Sequence, residues 1–235
     1  MSSSFPVGGL AVVVGASGGI GAALLAQLQS DAGFAQVLAL SRRSQPALNL
    51  QDEASIAACA HAVAQMQMPL RLLMDATGSL HGENMQPEKS WQQIDAAAMA
   101  QSFAINAIGP ALLMKHFLPL LPREGKSVFA TLSAKVGSIG DNRLGGWYSY
   151  RASKAALNQL VRTASIELRR RHPHALCVAL HPGTVATALS APFAKAGLDV
   201  RSPQEAAQRL LAVLEQLDAA DSGGFFNHDG TALPW

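Results

Sequence analysis

The sequence predicts a single α/β domain built on a doubly wound parallel sheet with helices on both faces. Short apolar runs alternate with longer helical patterns along the whole chain, which is typical of this class. The 235 residues are 49% apolar and only 14% charged, so the chain can bury a substantial core. No repeat, low-complexity stretch or long linker divides the sequence. We therefore expect residues 1–235 to form one domain.

Each element follows from an apolar run or a helical pattern. Strands are predicted at residues 10–14, 36–40, 70–75, 127–132 and 176–180, with a very short strand at 47–50 and an edge strand at 224–227. Helices are predicted at residues 19–30, 53–67, 97–120, 149–171 and 203–217. The two cysteines lie far apart in apolar segments, as expected of buried thiols in a reducing cytoplasm.

A glycine-rich turn joins the first strand to the first helix. Such a turn lets the backbone bend tightly and approach a pyrophosphate, whose charge meets the N-terminus of the helix. It predicts a Rossmann-type dinucleotide site with contacts from Gly15, Ser17, Gly18, Gly19, Ile20 and Gly21. The glycine spacing differs from the usual fingerprint, so a turn with a purely structural role is the alternative.

The same stretch also matches the nucleophile elbow of serine hydrolases, with Ser17 at its centre. A hydrolase needs an acid and then a histidine downstream, which His181 or His228 could supply. However, the elbow would follow the first strand at the start of the chain, and Gly21 would have no role in it. The pattern favours nucleotide binding.

The end of the second strand selects between the two nicotinamide cofactors. An acidic residue there binds the free ribose hydroxyls and repels a 2′-phosphate. This chain instead has Ser41, Arg42 and Arg43, and two guanidinium groups can hold a phosphate through charged, forked hydrogen bonds. The sequence favours NADP(H) over NAD(H), although arginines that only solvate a turn would give the same pattern.

The strongest chemical signal is Tyr150 followed four residues later by Lys154. On a helix this spacing puts both side chains on one face. An ammonium group beside a phenol lowers the phenol pKa from its usual value of roughly 10. The pair therefore predicts that Tyr150 is a general acid or base near neutral pH.

Together these motifs resemble the short-chain dehydrogenase/reductase family over nearly the whole chain. The resemblance is carried by residues 15–21, Asn106 in Asn-Ala-Ile-Gly-Pro, residues 150–154 and the segment Pro182-Gly-Thr-Val-Ala-Thr187. Residues 137–142, 226–230 and 234–235 narrow it to the C-factor-like and sniffer-like carbonyl reductases. The resemblance implies an NADP(H)-dependent oxidoreductase that interconverts a carbonyl and an alcohol by hydride transfer.

The resemblance also implies roles for individual residues. Tyr150 would exchange the proton with the substrate oxygen, Lys154 would hold the nicotinamide ribose and tune Tyr150, and Asn106 would complete a proton relay through water. A polar residue that merely bends its helix is the alternative for Asn106. The further cofactor contacts are expected at Asn49 and Leu50 on the adenine side, at Ala76, Thr77 and Gly78, and around the nicotinamide at Pro182, Gly183, Val185 and Thr187.

Two departures from the family pattern affect the predicted site. The serine that usually binds the substrate carbonyl falls on Ala134, so Ser133 is the predicted catalytic serine and Ser138 its alternative. Losing one such donor can cost roughly 10²–10³ in turnover, so weak activity would be no surprise. Asp75 stands in a turn where the family has asparagines, and we expect it to orient the neighbouring backbone by hydrogen bonds.

The substrate pocket is expected to be apolar. Trp147 and Phe193 would line it, and residues 188–202 would form a mobile lid or, alternatively, an ordinary surface connection. This pocket would suit a small lipophilic aldehyde, ketone or quinone, or the corresponding alcohol. An NADP(H)-binding, C-factor-like signalling protein with little turnover is the alternative function.

Charge and composition indicate few other partners. The net charge of +2 is too small to predict nucleic acid, and the basic run at 169–172 ends a helix, where positive charge complements the dipole. The seven histidines show no metal-ligand spacing, so no metal is expected.

The apolar region at 94–121 is interrupted by polar residues, and no basic residue precedes Arg42 as a signal peptide would require. We expect a cytoplasmic protein without a membrane partner, with a homodimer or homotetramer as possible assemblies.

Overall fold

The computed structural model describes residues 4–82, 86–193 and 199–235. Its strands are β1 Gly9–Val14, β2 Phe34–Leu40, β3 Leu70–Asp75, β4 Ser127–Leu132, β5 Ala175–His181, β6 Thr184–Val185, β7 Val200–Arg201 and β8 Phe225–Asn227. Six of them form a parallel sheet in the order β2-β1-β3-β4-β5-β8, and β6 pairs with β7 separately. The predicted fold class is confirmed.

Helices cover both faces of this sheet. They are α1 Gly19–Gln29, α2 Glu53–Gln65, α3 Ala96–Phe103, α4 Gly109–Phe117, α5 Tyr148–Arg169 and α6 Pro203–Gln216. Side chains from α2, α4 and α5 form the core on one face, and side chains from α1 and α6 form it on the other. Val12 and Val13 of β1 belong to opposite cores because strand side chains alternate between the two faces.

The strand predicted at 47–50 is wrong, because the backbone there bonds locally. The Leu48 N–H donates to the Ser41 carbonyl at 2.9 Å, and the Asn49 N–H donates to Ser55 Oγ at 2.9 Å. These donors fold the segment back onto the end of β2 and the start of α2. They are therefore not available to a sheet ladder.

The long helix predicted at 97–120 is continuous but irregular. A π-helical turn, Ala104–Ile108, separates α3 from α4, and a short 3₁₀ turn, Leu118–Leu120, ends it. By length and composition alone, Ala96–Leu120 meets the criteria for a helix that crosses a membrane. A core helix of a soluble protein can meet the same criteria. Leu113 and Phe117 are fully buried in the core beside the sheet, which accounts for part of its apolar composition. The two cysteines, Cys59 and Cys177, are free and buried as expected.

Candidate functional site

The predicted site residues gather at the carboxyl ends of the central strands. The glycine turn follows β1, residues 76–78 follow β3, residues 133–134 follow β4, and the loop from Pro182 follows β5. The chain places β2 and β3 on opposite sides of β1, which makes a topological switch point there. Ligands of open α/β sheets bind at such a crevice.

The glycine turn has no room for side chains at two positions. Gly15 has a φ of +80°, and its N–H donates to the Leu40 carbonyl at 2.9 Å. A Cβ on Gly15 would lie 3.0 Å from Thr77 Cγ2, and a Cβ on Gly21 would collide with the Gly15 carbonyl oxygen. These close approaches bring the turns after β1 and β3 together, and they explain why both residues are glycines.

The start of α1 is open toward solvent. Ser17, Gly18 and Gly19 are exposed, Gly18 is the N-cap, and no described side chain caps the helix. A Cβ on Gly19 would lie 3.0 Å from Thr187 Cγ2, so the predicted nicotinamide loop adjoins this helix start. Exposed backbone N–H groups at a helix N-terminus suit an anionic group.

The two arginines lie at the end of β2, next to the glycine turn. Arg42 and Arg43 are exposed, and the Arg43 N–H donates to Ser41 Oγ at 3.1 Å. Ser41 directly follows Leu40, whose carbonyl accepts the Gly15 N–H. The backbone that carries both arginines therefore continues from a residue that is hydrogen-bonded to the predicted phosphate-binding turn.

The two predicted adenine-side residues differ in their environment. Asn49 is exposed, and its side-chain oxygen accepts the Gln51 N–H at 3.2 Å. Leu50 instead packs against Gly109, where a Cβ would lie 2.8 Å from the Leu50 Cβ. Asn49 thus stabilises a local turn, and Leu50 holds this turn against the start of α4.

Lys154 and Asn106 meet beside Gly78. A Cβ on Gly78 would lie 3.5 Å from both Asn106 Oδ1 and Lys154 Nζ. The fully buried Asn106 amide pairs with the backbone of Ser79, accepting its N–H at 2.9 Å and donating to its carbonyl at 2.8 Å. Lys154 Nζ donates to the Leu132 carbonyl at 2.7 Å. Two of the residues predicted for the relay, Asn106 and Lys154, therefore lie next to the same glycine.

Two serines that sequence reasoning missed complete the Asn106 network. Asn106 Nδ2 lies 3.2 Å from both Ser102 Oγ and Ser153 Oγ, and the two hydroxyls lie 3.2 Å apart. Ser102 precedes Asn106 by four residues, and Ser153 lies between Tyr150 and Lys154. The four-residue spacing before Asn106 is the one signal that could have pointed to this network.

Tyr150 lines a cavity of about 300 Å³ at this edge of the sheet. The Trp147 ring lies edge-on to the Tyr150 ring, with centroids 6.2 Å apart, and Trp147 also lines the cavity. The wall combines residues of the glycine helix, of the strand ends and of the loop after β5: Ile20, Leu80, Ser133, Ala134, Lys135, Val136, His181, Pro182, Gly183, Thr184, Val185, Thr187, Leu189 and Ser190.

Burial sets the protonation of the tyrosine–lysine pair. It raises the pKa of Tyr150 to about 12 and lowers the pKa of Lys154 to about 8, against the opposing charge of Asp75. This corrects the expectation that the lysine lowers the tyrosine pKa, because desolvation of the phenolate dominates. Tyr150 therefore keeps its proton at neutral pH.

The predicted catalytic serine is engaged elsewhere. Ser133 lines the cavity, but its Oγ donates to Asn158 Oδ1 at 2.7 Å. Its alternative, Ser138, accepts the Asp141 N–H at 3.0 Å through Oγ and stabilises a turn. The neighbouring Ala134, which also lines the cavity, has no side-chain group that could donate a hydrogen bond in its place.

Asp75 holds the turn after β3, as expected. It is fully buried and accepts the Thr77 N–H at 3.0 Å and the Thr77 hydroxyl at 2.5 Å on Oδ1. The Thr131 hydroxyl donates to Oδ2 at 2.7 Å. Burial raises the pKa of the Asp75 carboxyl despite these donors. The side chain fixes the backbone that leads to Gly78.

A second buried carboxyl, Glu88, holds the start of α5. Glu88 is only 5% exposed, and its side chain accepts the Ser149 N–H at 3.2 Å and the Ser149 hydroxyl. Its backbone carbonyl accepts the N–H of Trp147, whose φ is +53°. A lone glutamate in a loop gives no sequence signal, so this contact was missed.

The structure describes only part of the predicted lid. Phe193 ends the turn Ala191–Phe193, but its side chain and the lid residues 194–198 lie outside the described residues.

Candidate metal ligands can be searched for only among the described residues. In that part of the chain, no three His, Cys, Asp or Glu side chains form a group that could hold a metal ion.

Sequence relatives point to oxidoreductases. The family model for short chain dehydrogenase matches residues 9–198. The C-signal protein of Myxococcus xanthus is 38% identical over 143 residues, which cover 60% of this chain and 81% of that protein. The 1-hydroxy-2-glutathionyl-2-methyl-3-butene dehydrogenase of Rhodococcus sp. is 30% identical over 191 residues, 81% of this chain and 80% of the relative.

Solved structures agree with this assignment. NADPH-bound carbonyl reductase from chicken fatty liver superposes with a TM-score of 0.86 at 28% identity, covering 99% of this chain and 96% of that one. The Drosophila carbonyl reductase Sniffer shares the fold, with a TM-score of 0.82 at 22% identity over 97% of this chain and 100% of its own. These similarities leave no support for the serine hydrolase alternative. The chain belongs to the short chain dehydrogenase family of oxidoreductases, and within it the chain is similar to C-signal and to a carbonyl reductase.

Proposed function

We propose that this chain is an NADP(H)-dependent carbonyl reductase that interconverts a carbonyl and an alcohol by hydride transfer. One observation carries the proposal: Tyr150 lines a cavity at the carboxyl ends of the central strands, and Lys154, four residues later on the same helix, lies with Asn106 beside Gly78 after β3. This arrangement provides a proton donor in the cavity, a cation one helical turn further along α5 and an amide network that joins Asn106 to Ser79 and Ser153.

The residues around the switch point suit NADP(H). The space beside Gly15, Gly19 and Gly21 is too tight for side chains but leaves the exposed start of α1 to a pyrophosphate. Arg42 and Arg43 favour the additional phosphate of NADP(H) over NAD(H). Several structural relatives contain NADP or NADPH, which supports this choice. Bound there, NADPH supplies the hydride that reduces the carbonyl carbon.

The chain's own residues supply the proton. Tyr150, whose pKa is about 12, is protonated at neutral pH and can donate to the carbonyl oxygen as the carbon accepts hydride. The ammonium of Lys154 then stabilises the phenolate that remains. We propose that Lys154 and the Asn106 network then return a proton to Tyr150 through water.

The cavity wall indicates the substrate class. Ile20, Leu80, Val136, Trp147 and Leu189 make much of it apolar, so we propose a small lipophilic aldehyde, ketone or quinone as substrate. A cytoplasmic location and a homodimer or homotetramer remain our predictions.

Cofactor oxidation with matched tyrosine variants tests this function. NADPH oxidation would be followed with benzaldehyde, cyclohexanone and menadione, with NADH in parallel. We expect turnover with NADPH that Tyr150→Phe abolishes and that Tyr148→Phe, two residues earlier on the same helix, retains. NADPH affinity should be the same in both variants. Equal turnover by wild type and Tyr150→Phe would contradict the proposed chemistry.

A signalling protein that binds NADP(H) with little turnover is the second candidate. It is favoured by Ala134, which removes the usual donor from the cavity, and by the 38% identity to C-signal. Tight NADPH binding without turnover of any of the three carbonyl compounds would support it over the reductase.

A further inference from the structure

The cavity needs a second hydrogen-bond donor beside Tyr150. During reduction, negative charge develops on the carbonyl oxygen, and a second fixed donor stabilises that charge. Ala134 offers only a methyl group, and the hydroxyl of Ser133 donates to Asn158. A hydrogen-bond donor from another side chain on the cavity wall would restore this stabilisation.

His181 ends the neighbouring strand and lines the same cavity. Leu132 of β4 lies opposite Leu180 of β5, and the Ser133 N–H donates to the Leu180 carbonyl at 2.8 Å. This register puts His181 beside the Ser133–Ala134 segment. The Nδ1 atom of His181 is buried and has no hydrogen-bond partner among the described residues, and His181 forms part of the cavity wall.

We propose that His181 donates a hydrogen bond from Nε2 to the substrate carbonyl oxygen and so replaces the hydroxyl that is missing at Ala134. The proposal rests on the proposed reductase function and adds a catalytic residue to it. Tyr150 still transfers the proton. His181 only stabilises the oxygen through its N–H group, and no proton leaves the ring.

The surroundings of His181 keep the ring neutral. Lys135 follows β4, Arg201 lies on β7 and His228 follows β8; together with burial, these groups lower the pKa of His181 to about 4. The acidic side chains near these cations form ion pairs with them: Asp141 pairs with Lys135, and Asp199 and Glu205 pair with Arg201. A neutral imidazole has one N–H, and placing it on Nε2 leaves only a lone pair at the buried Nδ1. Neutral histidine polarises carbonyl groups in other enzymes.

The test combines His181 variants with restoration of the missing hydroxyl. His181→Leu removes the donor, His181→Gln keeps an N–H near the Nε2 position, and Ala134→Ser returns the usual hydroxyl. We would measure kcat and KM for menadione and benzaldehyde with NADPH in the wild type, the three single variants and His181→Leu/Ala134→Ser. NADPH affinity and thermal unfolding would be measured for all five proteins.

We expect His181→Leu to lower kcat/KM by roughly 10²-fold, mainly through kcat, with NADPH affinity unchanged. His181→Gln and the double variant should recover most of this loss, which a merely structural histidine would not allow. Unchanged turnover in His181→Leu, or a loss that neither His181→Gln nor the added Ala134→Ser change restores, would overturn the role of His181 and leave the reductase function standing. Absence of turnover in wild type and Ala134→Ser alike would overturn both proposals.

Discussion

Replacing Glu88 by alanine should loosen the start of the catalytic helix. The Glu88 side chain accepts both the N–H and the hydroxyl of Ser149, the residue directly before Tyr150. The helix has no other side-chain cap among the described residues, because its N-cap is Trp147 in a left-handed conformation. Glu88 therefore does from a distant loop what an N-cap residue normally does locally.

The magnitude follows from the burial of this contact. Both Glu88 and Ser149 are about 95% buried. Glu88→Ala leaves two buried donors unpaired, at a cost of about 3 kcal/mol in the free energy of unfolding. For a chain of this size, that corresponds to a Tm lower by about 6–12 °C. Because Tyr150 moves with the helix start, we also expect kcat to fall by about tenfold or more.

Asp95 provides a matched control for this experiment. Asp95 is the N-cap of α3 and accepts the Ala98 N–H at 2.8 Å, but it is exposed and its helix does not carry Tyr150. Asp95→Ala should cost about 1 kcal/mol and leave kcat unchanged. Thermal and urea unfolding of Glu88→Ala, Ser149→Ala and the double variant would give the coupling between the two residues. The reasoning is refuted if Glu88→Ala destabilises no more than Asp95→Ala, or if its effect adds to that of Ser149→Ala without coupling.

Three further predictions concern charge and protonation. The pKa of His181 is lowered from 6.5 to about 4, so the stability contributed by the neutral imidazole is present above pH 6.5 and is lost as pH falls toward 4. The loss amounts to at most about 1.4 kcal/mol in the free energy of unfolding per pH unit. Urea unfolding should show this loss in wild type and less of it in His181→Gln. The pKa of Lys154 is lowered from 10.5 to about 8, so wild type should gain stability relative to Lys154→Met as pH rises above 8, and a constant difference would contradict this shift. Replacing Arg42 and Arg43 by alanine should weaken NADPH binding by about tenfold to a hundredfold but leave NADH binding unchanged in titration calorimetry, whereas equal losses would argue against a phosphate contact.

Most of the fold could be predicted because each buried strand is a continuous apolar run. Every residue of β1 and β4 is buried, as expected of parallel strands covered on both faces. The predicted strand at 47–50 failed because Leu48 is buried outside the sheet, and an apolar run cannot distinguish the two cases. The π-helical turn at Asn106 could not be predicted from the apolar pattern of the sequence either, because one extra residue in a turn barely changes the apolar periodicity of a long helix.

The candidate site was predictable where its residues are close in sequence. Tyr150 and Lys154 share one helix face, and the glycine turn follows one strand, so local spacing was sufficient. The Glu88–Ser149 contact spans 61 positions and joins common residue types, so spacing could not reveal it. The engagement of Ser133 by Asn158 was hidden for the same reason, because it depends on how β4 packs on α5.

The two pKa shifts of the central pair indicate what the proposed reaction requires of Lys154. Burial raises the pKa of Tyr150 to about 12, and burial lowers the pKa of Lys154 to about 8 against the opposing charge of Asp75. Tyr150 therefore holds its proton at neutral pH, which is the state from which reduction of a carbonyl starts. Donation of that proton leaves a phenolate, and oxidation of an alcohol starts from the same phenolate, so each unit of raised pKa adds about 1.4 kcal/mol to the free energy of this state in both directions. In the proposed mechanism the positive charge of Lys154 is what offsets this cost, so we expect the ammonium form of Lys154 to be required whichever way the reaction runs.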